Sequence, residues 1–302
     1  MGLKIISTGS YVPKKRVSND DLSKLVDTND EWITSRTGIS YRHFASDQNT
    51  VELAFLASLK AIETIDKKKI GIIIAASITN PYHTPSIACL IQEKLGLPED
   101  ILAFDLNAAC SGFVYSCHVA HSLLSSSKKP YALIVGAEKL SSIIDFTDRS
   151  TCILFGDGAG SAIVAYQKSP FYQITGSQGN LEALYAKEYL SMQGRAVFRF
   201  ATHVIEKCII DLLNASQLNI NDIDYFIIHQ ANKRIIAHVY KKLHIPADKF
   251  YTNLQEYGNT SGASIPLALD EMNQKKLLKK GMRLMMIGFG GGLTYGGNIV
   301  EW

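Results

Sequence analysis

The sequence of 302 residues has no long hydrophobic run and no strong excess of charge of either sign. Its longest apolar stretches, such as residues 70–78, are far shorter than the roughly 20 residues that a membrane-spanning helix needs. The formal net charge is only +3, so any basic binding surface must be local. We therefore expect neither a membrane nor a nucleic acid among the partners of this protein.

The sequence also lacks paired cysteines. The five cysteines (Cys89, Cys110, Cys117, Cys152 and Cys208) form no C-x-x-C pair and show no metal-ligand spacing. Because their number is odd and the chain is long, neither a disulfide framework nor a metal site is expected. The first ten residues contain no continuous apolar core of a secretion signal, and residue 6 is not the Ser or Thr of a myristoylation pattern. These features predict a cytoplasmic protein.

What the sequence does contain is a regular alternation of β-branched runs and amphipathic segments. Its 46% hydrophobic and 20% charged residues are typical of a globular protein. Strands are predicted over residues 3–7, 70–78, 101–106, 131–135, 158–166, 171–176, 223–228, 283–287 and 294–300, and helices over 50–65, 85–95, 112–124, 196–215, 231–243 and 261–278. Both halves mix strands and helices in the same order, which predicts an internally duplicated α/β protein with halves 1–167 and 168–302.

One cysteine stands where a predicted strand turns into a helix. Cys110 lies in residues 107–113, Asn-Ala-Ala-Cys-Ser-Gly-Phe. A helix N-terminus favours a thiolate over a thiol, because unpaired N–H groups and the helix dipole stabilise negative charge. The small neighbouring residues leave room for a substrate. Cys110 is therefore a candidate nucleophile, although the local sequence alone favours an ordinary core cysteine.

Three further clusters follow in the second half. The run His-Gln-Ala-Asn at 229–232 ends a predicted strand, at the edge where α/β proteins bind ligands. Residues 257–262, Tyr-Gly-Asn-Thr-Ser-Gly, open a helix that Asn259 could simply cap. The glycine run 288–292 lies between two predicted strands, where a backbone approaches something closely or adopts positive φ. Each cluster alone is equally compatible with a structural role.

Taken together, the four clusters fit one reaction. A Cys110 thiolate would attack a thioester and hold its acyl group. Side-chain N–H groups of His229 and Asn259 would stabilise the enolate that forms when a second thioester loses CO₂, and backbone N–H groups of Cys110 and Gly291 would hold the tetrahedral oxyanions. His229 must be neutral for this role.

The four clusters resemble the motifs of the 3-oxoacyl-acyl-carrier-protein synthase III family, the initiating ketoacyl synthases of the thiolase superfamily. They match in identity, order and spacing, and the resemblance runs from Lys4 to Trp302. It implies an acyltransferase with a thiolase-like five-layered αβαβα fold, a homodimer, and no metal or bound cofactor. An acyl group would pass from acyl-CoA to Cys110 and condense with malonyl-acyl-carrier-protein. The products would be CO₂, CoA and a 3-oxoacyl-carrier-protein that initiates fatty acid synthesis.

The resemblance also implies binding residues. Trp32 and Arg36 in Glu-Trp-Ile-Thr-Ser-Arg-Thr-Gly-Ile, with Arg149 in Thr-Asp-Arg-Ser-Thr, resemble a clamp for the CoA nucleotide. A Trp ring and guanidinium planes can stack on an adenine, and their charge suits phosphates. Asn232 resembles the pantetheine contact. Without the family, Trp32 would be interpreted as an ordinary surface anchor.

A basic surface is predicted on the helix that follows His229. Arg234, Lys241 and Lys242 share a face of this helix other than its apolar stripe, and Arg199 lies in a Phe-Arg-Phe motif before the preceding helix. In the family this region docks the acidic carrier protein. The alternative interpretation is a solvated helix face.

The sequence departs from the family at two places. The connection between residues 177 and 194 is shorter than expected, and Thr84 stands where relatives often carry a bulky aromatic side chain that reaches into the partner subunit's pocket. Thr84 is therefore a candidate acyl-pocket residue, and medium-chain starters are predicted to react at least as well as acetyl-CoA. Two alternatives remain open: a relative that uses a medium-chain or dicarboxylic starter, or another acceptor, in a specialised pathway, and a catalytically silent dimer-partner paralogue. A papain-like protease is excluded, because Cys110 lies mid-chain in a duplicated scaffold.

Overall fold

The computed structural model describes residues 1–302. The strands are β1 (Gly2–Tyr11), β2 (Lys15–Ser18), β3 (Tyr41–Phe44), β4 (Ile70–Ala76), β5 (Leu102–Leu106), β6 (Tyr131–Glu138), β7 (Gly158–Gln167), β8 (Phe171–Ser177), β9 (Leu184–Ala186), β10 (Leu190–Met192), β11 (Tyr225–Ile228), β12 (Arg283–Gly290) and β13 (Thr294–Glu301). The helices are α1 (Asn19–Leu22), α2 (Asp30–Thr37), α3 (Thr50–Ala61), α4 (Ile87–Leu95), α5 (Gly112–Leu124), α6 (Arg149–Cys152), α7 (Gly194–Ser216), α8 (Lys233–Lys242), α9 (Leu254–Tyr257) and α10 (Ser264–Gln274). Two of the short 3₁₀ turns, Ala109–Ser111 and Ser261–Ala263, lead directly into α5 and α10.

Two sheets carry the fold, and they repeat one topology. The first has the order β1-β7-β6-β4-β5, with β4 parallel to β5 and β6 and with β7 antiparallel to β1 and β6. The second, read as β8-β13-β12-β11, has the same order and directions as β1-β7-β6-β4. Beside β11, where β5 would have its counterpart, only a parallel bridge between Phe226 and Phe250 is present. The repeat supports an internal duplication, while the boundary between residues 167 and 168 stays a prediction.

The helices form three layers around these sheets. Helices α3 and α4 pack on the outer face of the first sheet, α7 and α8 on the outer face of the second, and α5 and α10 lie between the sheets. One apolar core fills each of the three spaces. The predicted five-layered αβαβα fold is confirmed. It places the amino ends of both central helices next to each other, because the two 3₁₀ turns are in contact.

Local sequence explains where the elements begin and end. Every residue of β4 is buried, which suits a β-branched strand covered on both faces. Helix α8 buries Ile235, Ile236 and Val239, each worth about 1.5–3 kcal/mol of hydrophobic stabilisation. Its N-cap is Asn232, whose side chain accepts a hydrogen bond from the Arg234 N–H group. A charged residue at position 236 would therefore detach this helix from the second sheet.

Several predicted boundaries were wrong. The predicted helix 50–65 ends at Ala61, and the predicted helix 85–95 begins only at Ile87, after an N-cap at Ser86. The predicted helix 261–278 begins as a 3₁₀ turn and ends at Gln274. The predicted strand 283–287 extends to Gly290, so part of the glycine run belongs to β12. The added residues of this strand pair with β13, and such pairing cannot be recognised from the periodicity of a single sequence.

The short segment between residues 177 and 194 is not a plain loop. It forms a small hairpin of β9 and β10, which pair antiparallel. The elements β2, β3, α1, α2 and α6 were not predicted; with this hairpin, they contribute to a fourth apolar cluster at the edge of the cavity described below. No helix combines the length and the apolar character needed to span a membrane.

Candidate active site

Cys110 lies in the 3₁₀ turn between β5 and α5, and its side chain is 8% exposed. Its Sγ donates a hydrogen bond to Ser261 Oγ over 3.4 Å. On the other side stands the end of β12. A Cβ atom on Gly290 would lie 2.7 Å from Cys110 Cβ and 2.9 Å from Sγ, so only glycine lets the strand approach this closely. The close backbone approach predicted for the glycine run is therefore confirmed, and Cys110 is what it approaches.

The Cys110 thiol is strongly disfavoured as a thiolate in this structure. Burial raises its pKa to about 12, and the charge of Glu138 adds to this, while the Ser261 hydroxyl and backbone N–H groups, including that of Gly291, act in the opposite direction. Burial thus opposes the thiolate that the helix N-terminus is predicted to favour, and the activation of the thiol by the helix N-terminus stays a prediction.

His229 follows β11 and is 1% exposed. Its Nδ1 lies 2.7 Å from Ser264 Oγ, and that oxygen also accepts the Gln230 N–H over 3.3 Å. The serine O–H has a proton to donate to Nδ1, and in that arrangement the proton of the neutral ring lies on Nε2. Burial lowers the pKa of His229 to about 3, so the ring is neutral at physiological pH, as predicted.

Asn259 is held in a comparable way. Its Oδ1 accepts the Ser261 N–H over 2.8 Å, and the residue is 7% exposed. The amide NH₂ is the group left for the cavity that Asn259 lines. Residues 261–264 thus hold the Nδ1 atom of His229 and the Oδ1 atom of Asn259 by hydrogen bonds. The remaining N–H groups are available for a substrate oxygen.

These side chains share one cavity of about 1530 Å³. It is larger than the 300–1,000 Å³ that is common for small-molecule sites, which suits a long ligand. The predicted residues that line it are Trp32, Arg36, Cys110, Arg199, His229, Asn232, Arg234, Asn259 and Gly291. Trp32 is 37% exposed whereas Cys110 is 8% exposed, so the cavity leads from the surface to the thiol.

The predicted nucleotide clamp is partly assembled. The Arg149 guanidinium lies 5.0 Å from the centre of the Trp32 ring, within cation–π range. It also donates a hydrogen bond to the carbonyl oxygen of Asp27 over 2.7 Å. Asn232 uses both ends of its amide on the protein, since its Oδ1 caps α8 and its Nδ2 donates to the Arg36 carbonyl oxygen over 3.2 Å. Its predicted contact with pantetheine stays a prediction.

The predicted basic surface extends over two neighbouring helices. Arg199 lies within α7, not ahead of a helix, because α7 begins at Gly194. Arg234 lies at the start of α8, and both arginines line the cavity. Lys241 and Lys242 lie about two turns further along α8, and Lys242 pairs with Glu206 over 2.7 Å. Arg195, a further cavity-lining arginine, was missed.

Thr84 lies outside this cavity. It is exposed, in the segment between β4 and α4, and it is not among the residues that line the cavity. Its proposed place in an acyl pocket would require the partner subunit, so that role stays a prediction.

Three functional candidates were missed by sequence reasoning. Ser261 and Ser264 belong to the turn that follows Asn259, and their spacing on one helical turn was the available signal. Glu138 ends β6 and is wholly buried. An acidic residue at the end of an apolar strand gives no sign of its partners, because these come from residues 77–79.

A buried cysteine that lines one cavity with a neutral histidine and an asparagine amide, where two repeated sheets meet, is the site of a thiolase-like condensing acyltransferase. Family profiles agree. Residues 104–180 match 3-oxoacyl-[acyl-carrier-protein] synthase III, and residues 213–302 match the C-terminal part of that enzyme. The chain belongs to the 3-oxoacyl-acyl-carrier-protein synthase III family.

Individual relatives extend the match to the whole chain. The beta-ketoacyl-[acyl-carrier-protein] synthase III of Acholeplasma laidlawii is 50% identical, over 99% of this chain and 98% of its own. That of Clostridium acetobutylicum is 46% identical, with the same coverage. The crystal structure of the Aquifex aeolicus synthase III covers both chains fully at 40% identity, with a TM-score of 0.96. The predicted family, its fold and its condensing acyltransferase activity are confirmed, whereas a specialised or silent relative gains no support.

Proposed function

We propose that this protein carries out the initiating condensation of fatty acid synthesis in two half-reactions at Cys110. In the first, the Cys110 sulfur attacks the carbonyl carbon of acyl-CoA, and the carbon–sulfur bond to CoA breaks. In the second, malonyl-acyl-carrier-protein loses CO₂ and its enolate attacks the acyl-cysteine. The carbon–sulfur bond to Cys110 then breaks, a 3-oxoacyl-carrier-protein leaves, and the Cys110 thiolate takes up a proton from solvent to restore the thiol.

The observation that carries this proposal is the orientation of the two donors. Ser264 takes the Nδ1 side of His229, and the Ser261 N–H takes the Oδ1 side of Asn259. Two neutral N–H groups are thus presented to the same cavity as the thiol. Neutral donors stabilise a developing enolate oxygen without protonating it, which is what a decarboxylation needs. A charged histidine would instead attract the malonyl carboxylate and hold it.

The oxyanion of the acylation step would bind apart from His229 and Asn259, at backbone N–H groups near Cys110. The backbone N–H groups of Gly291 and Cys110 both act to lower the pKa of the Cys110 thiol, which supports this pair as the donors for the oxyanion. Such donors are worth about 10²–10³-fold in rate when they are aligned with the transition state. No metal or cofactor is needed for either half-reaction, since the thioesters supply both leaving groups.

The cavity and its rim fit both substrates. Arg36, Arg195 and Arg234 line the route to the thiol, and guanidinium groups suit the phosphates of CoA and of a phosphopantetheine arm. Arg199, Arg234, Lys241 and Lys242 are exposed on adjacent helices, where an acidic carrier protein would dock. Their attraction would act mainly on the rate of association.

The free edge of the first sheet supports a homodimer. Strand β5 is the edge strand, and Leu102 is 48% exposed on it. Long unpaired apolar edges invite another strand, and two copies of β5 would satisfy each other. Thr84 lies in the segment before α4, whose first N–H groups bond Asp105 of β5, so it would lie near a partner's cavity. The free state of all five cysteines supports action in the cytoplasm.

The test separates the half-reactions with two variants. Cys110→Ala should abolish CoA release from acyl-CoA and any acyl adduct seen by mass spectrometry. His229→Ala should still acylate Cys110 but condense with malonyl-carrier-protein about 10²–10³-fold more slowly. Cys89→Ala is the matched control, since Cys89 is the exposed cysteine and lies outside the cavity.

An acyl adduct on Cys89 with none on Cys110 would refute the nucleophile. Equal loss of both half-reactions in His229→Ala would refute the division of roles.

A further inference from the structure

We propose that Arg42 is a positioning residue, which joins the two sides of the predicted nucleotide clamp beneath the surface and so aligns acyl-CoA for attack by Cys110. This inference rests on the proposed function and adds to it a residue outside the cavity lining. On one side of the clamp, α2 carries Trp32 and Arg36; on the other, α6 carries Arg149, whose guanidinium lies 5.0 Å from the centre of the Trp32 ring.

Arg42 is a buried charge whose bonded partners are uncharged. It lies on β3 and is 0% exposed. Its Nη1 donates to Asn19 Oδ1 and its Nη2 to the Ile153 carbonyl oxygen, each over 2.7 Å, while its Nε has no partner. Burial lowers the pKa of Arg42 to about 10, so the guanidinium stays charged at physiological pH. A buried charge without an ion pair is costly, and an apolar side chain would fill this space at lower cost. Packing alone therefore does not explain an arginine here.

The Nη1 bond leads to α2. Asn19 is 1% exposed, and its Nδ2 donates to Asp30 Oδ1 and to the Ile39 carbonyl oxygen, each over 2.8 Å. Asp30 is the first residue of α2, and Ile39 lies just beyond its end, so Asn19 fastens both ends of this helix. The opposite amide orientation would place the Asn19 NH₂ group against the guanidinium. Arg42 thus fixes the orientation that both bonds need.

The Nη2 bond leads to α6 and to the active site. Ile153 is the C-cap residue of α6, the helix that begins with Arg149. The residues after Ile153 are paired with Asn259. The Asn259 N–H donates to the Leu154 carbonyl oxygen over 2.8 Å, and the Gly156 N–H donates to the Asn259 carbonyl oxygen over 3.0 Å. One guanidinium therefore holds α2 in place against both α6 and the segment that carries this pairing.

This connection bears on how the substrate is placed. In the proposed function the clamp holds the nucleotide end of acyl-CoA while the thioester at the other end reaches Cys110. A shift of α2 against α6 would separate the Trp32 ring from Arg149 and displace the nucleotide. Loss of Arg42 should therefore impair substrates that carry the nucleotide and spare those that lack it. A purely structural role would impair both alike.

The experiment compares acyl-CoA with the acyl-pantetheine of the same acyl group, chosen as the one that the wild type uses best. The measurement is the second-order rate constant for acylation of Cys110, followed as thiol release. Arg42→Met keeps an unbranched side chain but removes both hydrogen bonds. It should lower the constant for acyl-CoA about 5- to 10-fold, as for a lost stacking contact, and that for acyl-pantetheine less than about twofold. Arg42→Lys should give an intermediate loss with acyl-CoA, because one ammonium group cannot replace the two-pronged guanidinium.

A second pair of variants tests the same connection from the surface. Asp30 is exposed, and Asp30→Ala removes one of the bonds that Asn19 makes to α2. It should lower the constant for acyl-CoA about 2- to 3-fold. Glu31→Ala is the matched control, since Glu31 is also exposed and also acidic in the first turn of α2, but lies outside this network. If Arg42→Met fails to fold, this pair carries the test.

Equal losses with acyl-CoA and acyl-pantetheine, or no loss with either, would overturn the proposal for Arg42. Equal responses of Asp30→Ala and Glu31→Ala would contradict the connection through Asn19. Absence of any acyl-Cys110 in the wild type would instead refute the proposed function, so the two failures are distinguishable.

Discussion

The two 3₁₀ turns that meet at the centre of the molecule are built alike and do different work. Each begins with a non-glycine residue in the left-handed region, Ala109 at φ 45° and Ser261 at φ 49°. Each leads into a central helix. At the next position the first turn carries Cys110 and the second carries Gly262.

The residues at the strand ends that face these turns show the reverse arrangement: a glycine faces Cys110, and a large residue faces Gly262. Gly290 ends β12 against Cys110, and Glu138 ends β6 near Gly262. Each small residue stands opposite a large one, so the packed volume is conserved across the duplication. The comparison teaches that a repeated scaffold provides two equivalent positions. In each pair of a turn residue and the strand-end residue that faces it, only one of the two positions has room for a large or reactive side chain.

The substitution Gly290→Ala should disturb this packing of small against large residues the most. Its Cβ atom would collide with Cys110 Cβ and Sγ, so the sulfur must move by a substantial fraction of an ångström. Displacements of this size cost about 10²-fold in rate. The measurement is the acylation burst. Gly179→Ala is the control, because no atom lies within 4 Å of its added Cβ; an equal loss in both variants would contradict the argument.

The counterpart, Gly262→Ala, should cost less. Its Cβ atom would lie 3.2 Å from the Ala109 carbonyl oxygen, a contact that a shift of a few tenths of an ångström relieves. We expect a loss of acylation that is clearly smaller than that of Gly290→Ala. A larger loss would mean that the second turn is the more tightly constrained one.

The pH dependence of the free energy of unfolding tests the burial of His229, which lies in the second half. Because burial lowers the pKa of His229 from 6.5 to about 3, the unfolded chain binds a proton below pH 6.5 that the native chain does not. Stability should therefore fall as the pH falls, by up to about 1.4 kcal/mol per pH unit from this residue. His229→Gln should reduce the slope between pH 6.5 and 4.5 in urea unfolding, whereas exposed His203→Gln should not. Parallel curves would contradict a neutral, buried His229.

The smallest effect concerns the outer helices. Helix α8 of the second half carries several exposed cations, whereas α4 of the first half is mixed in charge. Arg234→Glu should raise the KM for malonyl-carrier-protein about 3- to 10-fold at low salt, since rim charges contribute about 0.2–1 kcal/mol each and are screened. Acyl-CoA transacylation should change less. Lys94→Glu on α4 is the control, and equal responses of the two variants would place carrier docking elsewhere.

Much of the fold could be predicted because its strands are continuous β-branched runs and its helices have clear apolar stripes. The four site clusters were equally visible, since each is a contiguous stretch of sequence. The thiol pKa could not be predicted, because the desolvation that raises it comes from several chain segments at once. Ser264, Glu138 and Arg195 were missed for a similar reason. Their roles depend on partners that are distant in sequence, and the strand extension to Gly290 depends on pairing with β13.

The cavity that runs from Trp32 to Cys110 also imposes an order of events. Both substrates carry their reactive carbonyl on a long arm, and the same passage, lined by Arg36, Asn232 and Arg234, leads to the thiol. Because both arms would use this one passage in the proposed function, CoA would depart before the carrier arm enters. In the proposed function, free CoA would then compete with the carrier arm for this passage.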